Sequence, residues 1–162
     1  MNEALQTAID NLLINDIYLR SAESHLSDDF EPKFDTHTDR LDVQFKHVVT
    51  HWNVLRLQQE GEEPVSLFRV FVELGVRWLE ESGGKNISEE SRIKAEINCL
   101  MIAEYRMTGD PGKEGLNEFA RRNASYHIWP YWREYLMGQC LRMNLAKLVL
   151  PAVQFAYNRD NG

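Results

Sequence analysis

Apolar residues recur at every second position through two long stretches of the chain. Phe68, Val70, Val72, Leu74, Val76 and Trp78 form one row. Ile93, Ala95, Ile97, Cys99, Met101, Ala103, Tyr105 and Met107 form the other, opposite Arg92, Lys94, Glu96 and Asn98. Successive side chains of a strand point to opposite faces, so each row predicts a long strand with one face on a core. Leu41 to about Leu57 begins with Leu41, Val43 and Phe45 set against Asp42, Gln44 and Lys46, which predicts a third strand. Leu12 to about Leu26 predicts a less regular one, with Leu13, Ile17 and Leu19 among polar positions. Polar stretches separate them: Ser27 to Asp39 with Pro32, Gln58 to Pro64, and Glu80 to Glu90 with Gly83-Gly84. Long strands joined by such turns make an antiparallel meander the simplest arrangement.

The period changes after Thr108-Gly109-Asp110-Pro111-Gly112, where Asp110-Pro111 suits a helix start. Leu116, Phe119, Ala120, Asn123 and His127 then fall at helical spacing. Pro130 has no amide hydrogen, which predicts a kink or a fresh start there. Beyond it Trp132, Tyr135, Leu136, Cys140 and Met143 share one helix face, while Trp129 and Met137 lie off it. This helix is therefore apolar on more than one side. Ala4, Leu5, Ala8 and Ile9 give residues 1–11 a short helical start, and Leu145 to Tyr157, interrupted by Pro151, is neither a regular helix nor a clean strand. The expected architecture is a single α+β domain over 1–162. It has an N-terminal extension (1–11), an antiparallel β-sheet (12–107), a long helix packed on one face (110–144) and a closing segment with the tail (145–162).

Composition narrows the function. With 162 residues, 43% apolar and 27% charged, the chain reads as one ordinary globular domain able to bury its own core. No apolar run could span a bilayer, and Met1-Asn2-Glu3-Ala4 carries no basic, apolar leader, so the cytoplasm is the expected location. The net charge of −7, with only Arg121-Arg122 adjacent among basic residues, disfavours direct nucleic-acid binding. Cys99 and Cys140 lack a paired spacing and suit buried free thiols.

Catalytic patterns fail on inspection. Gly84-Lys85 has Leu79 where a phosphate loop needs glycine, and Asn86 where it needs Ser or Thr. No nucleophile elbow, zinc-protease motif or dinucleotide fingerprint is present. His47 and His51 sit on a strand, where four residues span ~13 Å, too far to share one zinc. His37 lies between Asp35 and Asp39 in a solvated stretch, and His127 suits packing. Glu62-Glu63, Glu80-Glu81 and Glu89-Glu90 lie in turns with nothing apolar beside them to raise a pKa. The expectation is a protein that is not an enzyme and uses no metal or cofactor.

What remains is apolar area. One sheet has two faces and a helix covers only part of one, yet Tyr126, Trp129, Tyr131, Trp132 and Tyr135 add a large aromatic cluster around Pro130. Such area fits a larger core, an oligomer interface or a peptide-binding surface.

Ile128-Trp129-Pro130-Tyr131-Trp132-Arg133-Glu134 resembles the apolar-Pro-Tyr-x-Arg-Glu motif in the long helix of the bacterial export chaperone SecB. Met143-Asn144-Leu145-Ala146, followed by Pro151-Ala152-Val153-Gln154-Phe155, looks like that family's Leu-Asn-Leu-x-Pro-Val-Asn-Phe segment. Asp16-Ile17-Tyr18-Leu19 is similar to its first strand. The motif residues carried over are Pro130, Tyr131, Arg133 and Glu134. The resemblance implies a four-stranded antiparallel sheet with helices on one face, a homotetramer built as a dimer of dimers, and non-native polypeptide held in apolar grooves between sheet, long helix and the crossover segment after it. The groove residues expected on this basis are Tyr18, Trp52, Val54, Trp129, Leu136, Leu145, Leu148, Leu150, Val153 and Phe155. The Phe68-to-Trp78 row is assigned to core or dimer packing.

Three departures bear on function. The Leu-Asn-Leu-to-Pro spacing is longer here, Gln154 replaces the family's Asn, and the family's terminal helix and acidic, export-motor-binding tail are missing after Phe155. A second group of SecB-like proteins serves toxin–antitoxin–chaperone modules and protects an aggregation-prone antitoxin, which suits the shorter tail. The expectation is a holdase for an antitoxin. A general protein-export chaperone and a non-catalytic oligomeric adaptor for one folded partner stand as alternatives.

Overall fold

A computed structural model describes residues 2–36, 38–81, 87–148 and 150. Helix α1 (Glu3–Asn11) opens the chain, capped by Asn2, whose side-chain oxygen accepts the Ala4 amide at 3.0 Å. It runs directly into β1 (Leu12–Leu26). A crossing loop leads to β2 (Asp42–Leu57), followed by β3 (Val65–Leu79), a one-turn helix α2 (Glu89–Arg92) and β4 (Ile93–Met107). Helices α3 (Gly112–Arg122) and α4 (Ala124–Arg142) complete the α+β fold.

The four strands form one antiparallel sheet in the order β1-β4-β3-β2. Only β2, β3 and β4 form a meander. The expected simple meander is corrected at β1, which lies against β4 on the far edge, with Leu12 opposite Met107 and Ile17 opposite Ala103. The loop between Leu26 and Asp42 therefore crosses the end of the sheet, about three strand spacings or ~14 Å. It is pinned there. Phe30 is buried, the Ser27 amide donates to the Lys94 carbonyl at 2.8 Å, and the buried Lys94 ammonium meets Asp29 at 2.8 Å and Glu80 at 3.5 Å.

The two period-2 rows face the helices as expected. Phe68, Val70, Val72, Leu74, Val76 and Trp78 pair across with Tyr105, Ala103, Met101, Cys99, Ile97 and Ala95, and all are buried. Against them α4 buries Ile128, Trp132, Leu136 and Cys140, while α3 buries Leu116, Phe119 and Ala120. The N-terminal extension joins this core through Leu5 and Ala8. Gly115 makes that possible, since a Cβ there would stand 2.9 Å from the Ala4 carbonyl oxygen and 3.6 Å from the Ala8 Cβ.

The helical break also differs from expectation. It falls at Asn123 (φ −110°, ψ −35°), between α3 and α4, whereas Pro130 lies inside α4. Pro130 is exposed, so the amide it lacks is missing on the wet side of the helix, where water can replace it.

Candidate functional site

The helices cover the central strands and leave both flanks of the same sheet face partly bare. On β1, Ile14 and Leu19 are 56% and 44% exposed; on β2, Phe45 and Val54 are 58% and 40% exposed. Their register partners, Tyr105, Met101, Val76 and Phe68, are core residues, so these side chains belong to the helix-covered face but lie beyond the helices' reach.

Three depressions follow the edge of the helix layer. The first, about 390 Å³, separates β1 from α4. Ile17, Leu19 and Met101 contribute from the sheet, and Tyr131, Tyr135, Gly138 and Arg142 from the helix. The second, about 610 Å³, separates β2 from the start of α3 and is lined by Trp52, Val54, Met107 and Leu116, with Arg56 and Lys113 at its rim. Trp52 is fixed there by an edge-on contact with Phe68 at 5.4 Å and by donating its indole N–H to the Asn117 side-chain oxygen at 2.7 Å. The third, about 410 Å³, lies at the end of α4 and is almost wholly apolar, formed by Met137, Gly138, Cys140, Leu141 and Leu145. Leu141 is 81% exposed, although it sits in the middle of this apolar rim.

A specific helix stop shapes the third depression. Asn144 adopts a positive φ of 56°. The Leu145 amide donates to the Cys140 carbonyl at 2.9 Å and the Asn144 amide to that of Leu141 at 3.4 Å. This is a Schellman cap with asparagine at the left-handed position, and it turns Leu145 back against Cys140. The Met143-Asn144-Leu145 segment is thus a device for reversing the chain.

The expected groove residues separate into groups. Trp52 and Val54 meet in the β2 depression, and Leu145 lines the third. Tyr18 borders the β1 depression, but its hydroxyl donates to Glu104 at 3.0 Å and accepts from Arg69 Nε at 3.2 Å, on the face away from the helices. Because β1 and β2 are opposite edges, Tyr18 and Trp52 do not share one groove. Leu136 is fully buried in the core, Leu150 is buried, and Leu148 packs partly buried against the core. Trp129 is half-buried and meets the His47 ring edge-on at 6.1 Å. Val153 and Phe155 lie outside the described residues. Of the motif residues, Tyr131 and Glu134 line the β1 depression, Pro130 is exposed and Arg133 is half-buried. Sequence reasoning missed Leu19, Met101, Gly138, Leu141 and Arg142 as site residues; the signal available was a helix apolar on more than one side.

The titratable groups are tied to packing. The His47 Nε2 lies 2.6 Å from Ser125 Oγ and the His127 Nδ1 2.8 Å from the Tyr105 hydroxyl, and burial lowers the pKa of both histidines. Burial pushes the Cys99 thiol up to about 12 and raises Cys140, so both are protonated, poorly nucleophilic thiols at neutral pH. Among the described residues no group of three His, Cys, Asp or Glu could hold a metal ion, and no helix is long and apolar enough to cross a membrane.

No protein-family model matches the chain, and no curated protein matches it either. Among solved structures the fold is that of a SecB-like chaperone. The chain is similar to the SecB-like chaperone Rv1957 of Mycobacterium tuberculosis, solved in complex with a ChAD peptide from the HigA1 antitoxin. The likeness has a TM-score of 0.65 at 16% identity and covers 95% of this chain and 99% of that one.

Proposed function

We propose that this chain is a cytoplasmic, non-enzymatic SecB-like chaperone that holds non-native polypeptide, with an antitoxin as its dedicated client and a homotetramer as its working form. The observation that carries this reading is the exposed apolar side chains on each flank of the helix layer, Ile14 and Leu19 on β1 and Phe45 and Val54 on β2, in a fold shared with a chaperone solved with an antitoxin peptide. Each depression suits one or two apolar side chains. Burying a Leu- or Phe-sized side chain yields roughly 1.5–3 kcal/mol, so three seated side chains supply roughly 4.5–9 kcal/mol before ordering costs. That supports binding no tighter than about micromolar per segment, which suits a holdase that must release its client. Release needs no nucleotide, because client folding or capture by another partner removes the ligand by mass action.

Suppression of the aggregation of a chemically unfolded protein, without nucleotide, tests this. The parent should suppress it, and a Leu19→Asp/Leu141→Asp pair, altering two exposed side chains, should suppress it several-fold less at unchanged thermal stability. A parent without suppression rules out the holdase. A double variant as effective as the parent moves the binding surface elsewhere.

A further inference from the structure

The sheet face away from the helices carries its charge unevenly. Strand register sets six rows across it, the first holding Leu13, Arg106, Leu67 and Leu55 and the last His25, Glu96, Arg77 and Gln44. The half built by β1 and β4 presents Asp16, Glu23, Glu96 and Glu104 against a single Arg106. The half built by β2 and β3 presents Lys46, Arg69 and Arg77 against a single Glu73. The face is thus acidic along one side and basic along the other. Cross-strand pairs use part of this charge within the chain: Lys46 meets Glu73 at 3.0 Å, and Arg69 Nε lies 3.9 Å from Glu104. Glu23 and Glu96 have no ion-pair partner among the described residues. Leu13 and Leu55, both exposed, stand at opposite ends of the first row.

We infer that this face docks on the same face of a second copy of the chain, about a two-fold axis running along the strands between β3 and β4. That rotation lays β4 over the copy's β3 and β1 over its β2, so the acidic side meets the basic side twice. Glu23 comes opposite Lys46 of the second copy, Glu96 opposite its Arg77, Glu104 opposite its Arg69 and Leu13 opposite its Leu55. Two positions do not match, since Arg106 meets Leu67 and Glu73 meets Leu100. A uniformly basic partner is repelled by one half of the face and a uniformly acidic one by the other; a second copy suits both. Stacked sheets hold their strands within about 30° of each other, an offset that long Glu, Lys and Arg side chains span. The six rows run for about 33 Å over four strand widths of ~4.8 Å, or roughly 600 Å² on each copy. The total of roughly 1,200 Å² lies at the lower end for a specific interface. A hollow of about 280 Å³ among Glu23, Lys46, Glu73 and Asn98 faces its own copy and leaves a gap for water. The contact is therefore weak, driven by charge and sensitive to salt. It lies on the opposite side of the sheet from the apolar depressions and is independent of the chaperone reading.

Sedimentation of the full chain tests the pairing. The parent's mass at low salt should fall at about 1 M salt, where the screening length is ~3 Å. Glu23→Lys and Lys46→Glu each set like charges against each other at both symmetry-related contacts, so either variant alone should associate about tenfold more weakly than the parent. Mixed in equal amounts, the two variants restore opposite charges at both contacts, and the mixture should regain the parent's mass. Contacts elsewhere between copies, including those of the proposed tetramer, are indifferent to this exchange. Both side chains are exposed, so the melting temperature should not move. A parent mass independent of salt overturns the face-to-face pairing, as does parent-like association of either variant alone. A mixture that stays at the mass of the separate variants overturns it as well.

Discussion

Two helical glycines should respond in opposite directions to the same substitution. Replacing either by alanine removes the excess backbone freedom of the unfolded chain and stabilises its helix by about 1 kcal/mol. At Gly138 little opposes that gain, because the new methyl meets only the far end of the flexible Arg142 side chain. At Gly115 the methyl meets the Ala4 carbonyl oxygen at 2.9 Å, the Pro111 Cβ at 3.2 Å and the Ala8 Cβ at 3.6 Å. The first of these is main chain and cannot rotate away, so α1 must shift from α3 and loosen Leu5 and Ala8, which are 8% and 0% exposed. Overpacking of this kind costs about 1–3 kcal/mol, leaving Gly115→Ala destabilised by about 1 kcal/mol net. For a chain of 162 residues the two variants should differ by about 4–8 °C in melting temperature, with the parent between them. Hydrogen exchange should show faster exchange in Glu3–Asn11 for Gly115→Ala alone. Equal rises in melting temperature would refute the docking of α1 on α3.

Acid should weaken the seat of α4 before it titrates ordinary carboxylates. His47 and His127 are held below their ordinary pKa by burial, so the unfolded chain takes up protons first as pH falls. The stability they contribute is complete above about pH 6.5 and declines below it, by at most about 1.4 kcal/mol per pH unit for each histidine. Urea unfolding at pH 7.5 and 5.5 should show the loss, and a His47→Gln/His127→Gln pair should flatten it; a parent with equal midpoints at both values contradicts the argument. At the helix stop, Asn144→Gly should stay within a few tenths of a kcal/mol of the parent, whereas Asn144→Val, forced to a φ of 56°, should cost about 1–2 kcal/mol in urea unfolding. Equal stability of the valine variant would remove the left-handed cap from the account.

The strands were legible because each has one face on a core, and a period of two survives whatever the strand order. The order itself was not, because the placing of β1 beside β4 depends on where the loop after Leu26 crosses, anchored by Phe30 and the Lys94–Asp29 pair. Tyr18 and Trp52, expected among the groove residues from the resemblance, consequently sit on opposite edges of the sheet. Pro130 drew the helix break to itself because proline lacks a donor, but the loss is tolerated on a wet surface, and the chain bends at Asn123. Leu136, expected in the groove from the resemblance, lies in the core, since an apolar helix face does not show how deep each of its residues lies. The Asn144 segment was legible as a motif, but its role as a helix stop needed the backbone angles.

Hydrogen exchange of the chain with and without an unfolded client tests the central claim most directly. Client binding should add protection at Ile17–Leu19, at Met101 and from Tyr131 to Leu145, with the opposite face of the sheet around Arg69 and Glu104 unchanged. Protection confined to that opposite face, or none at all with the client bound, would contradict it.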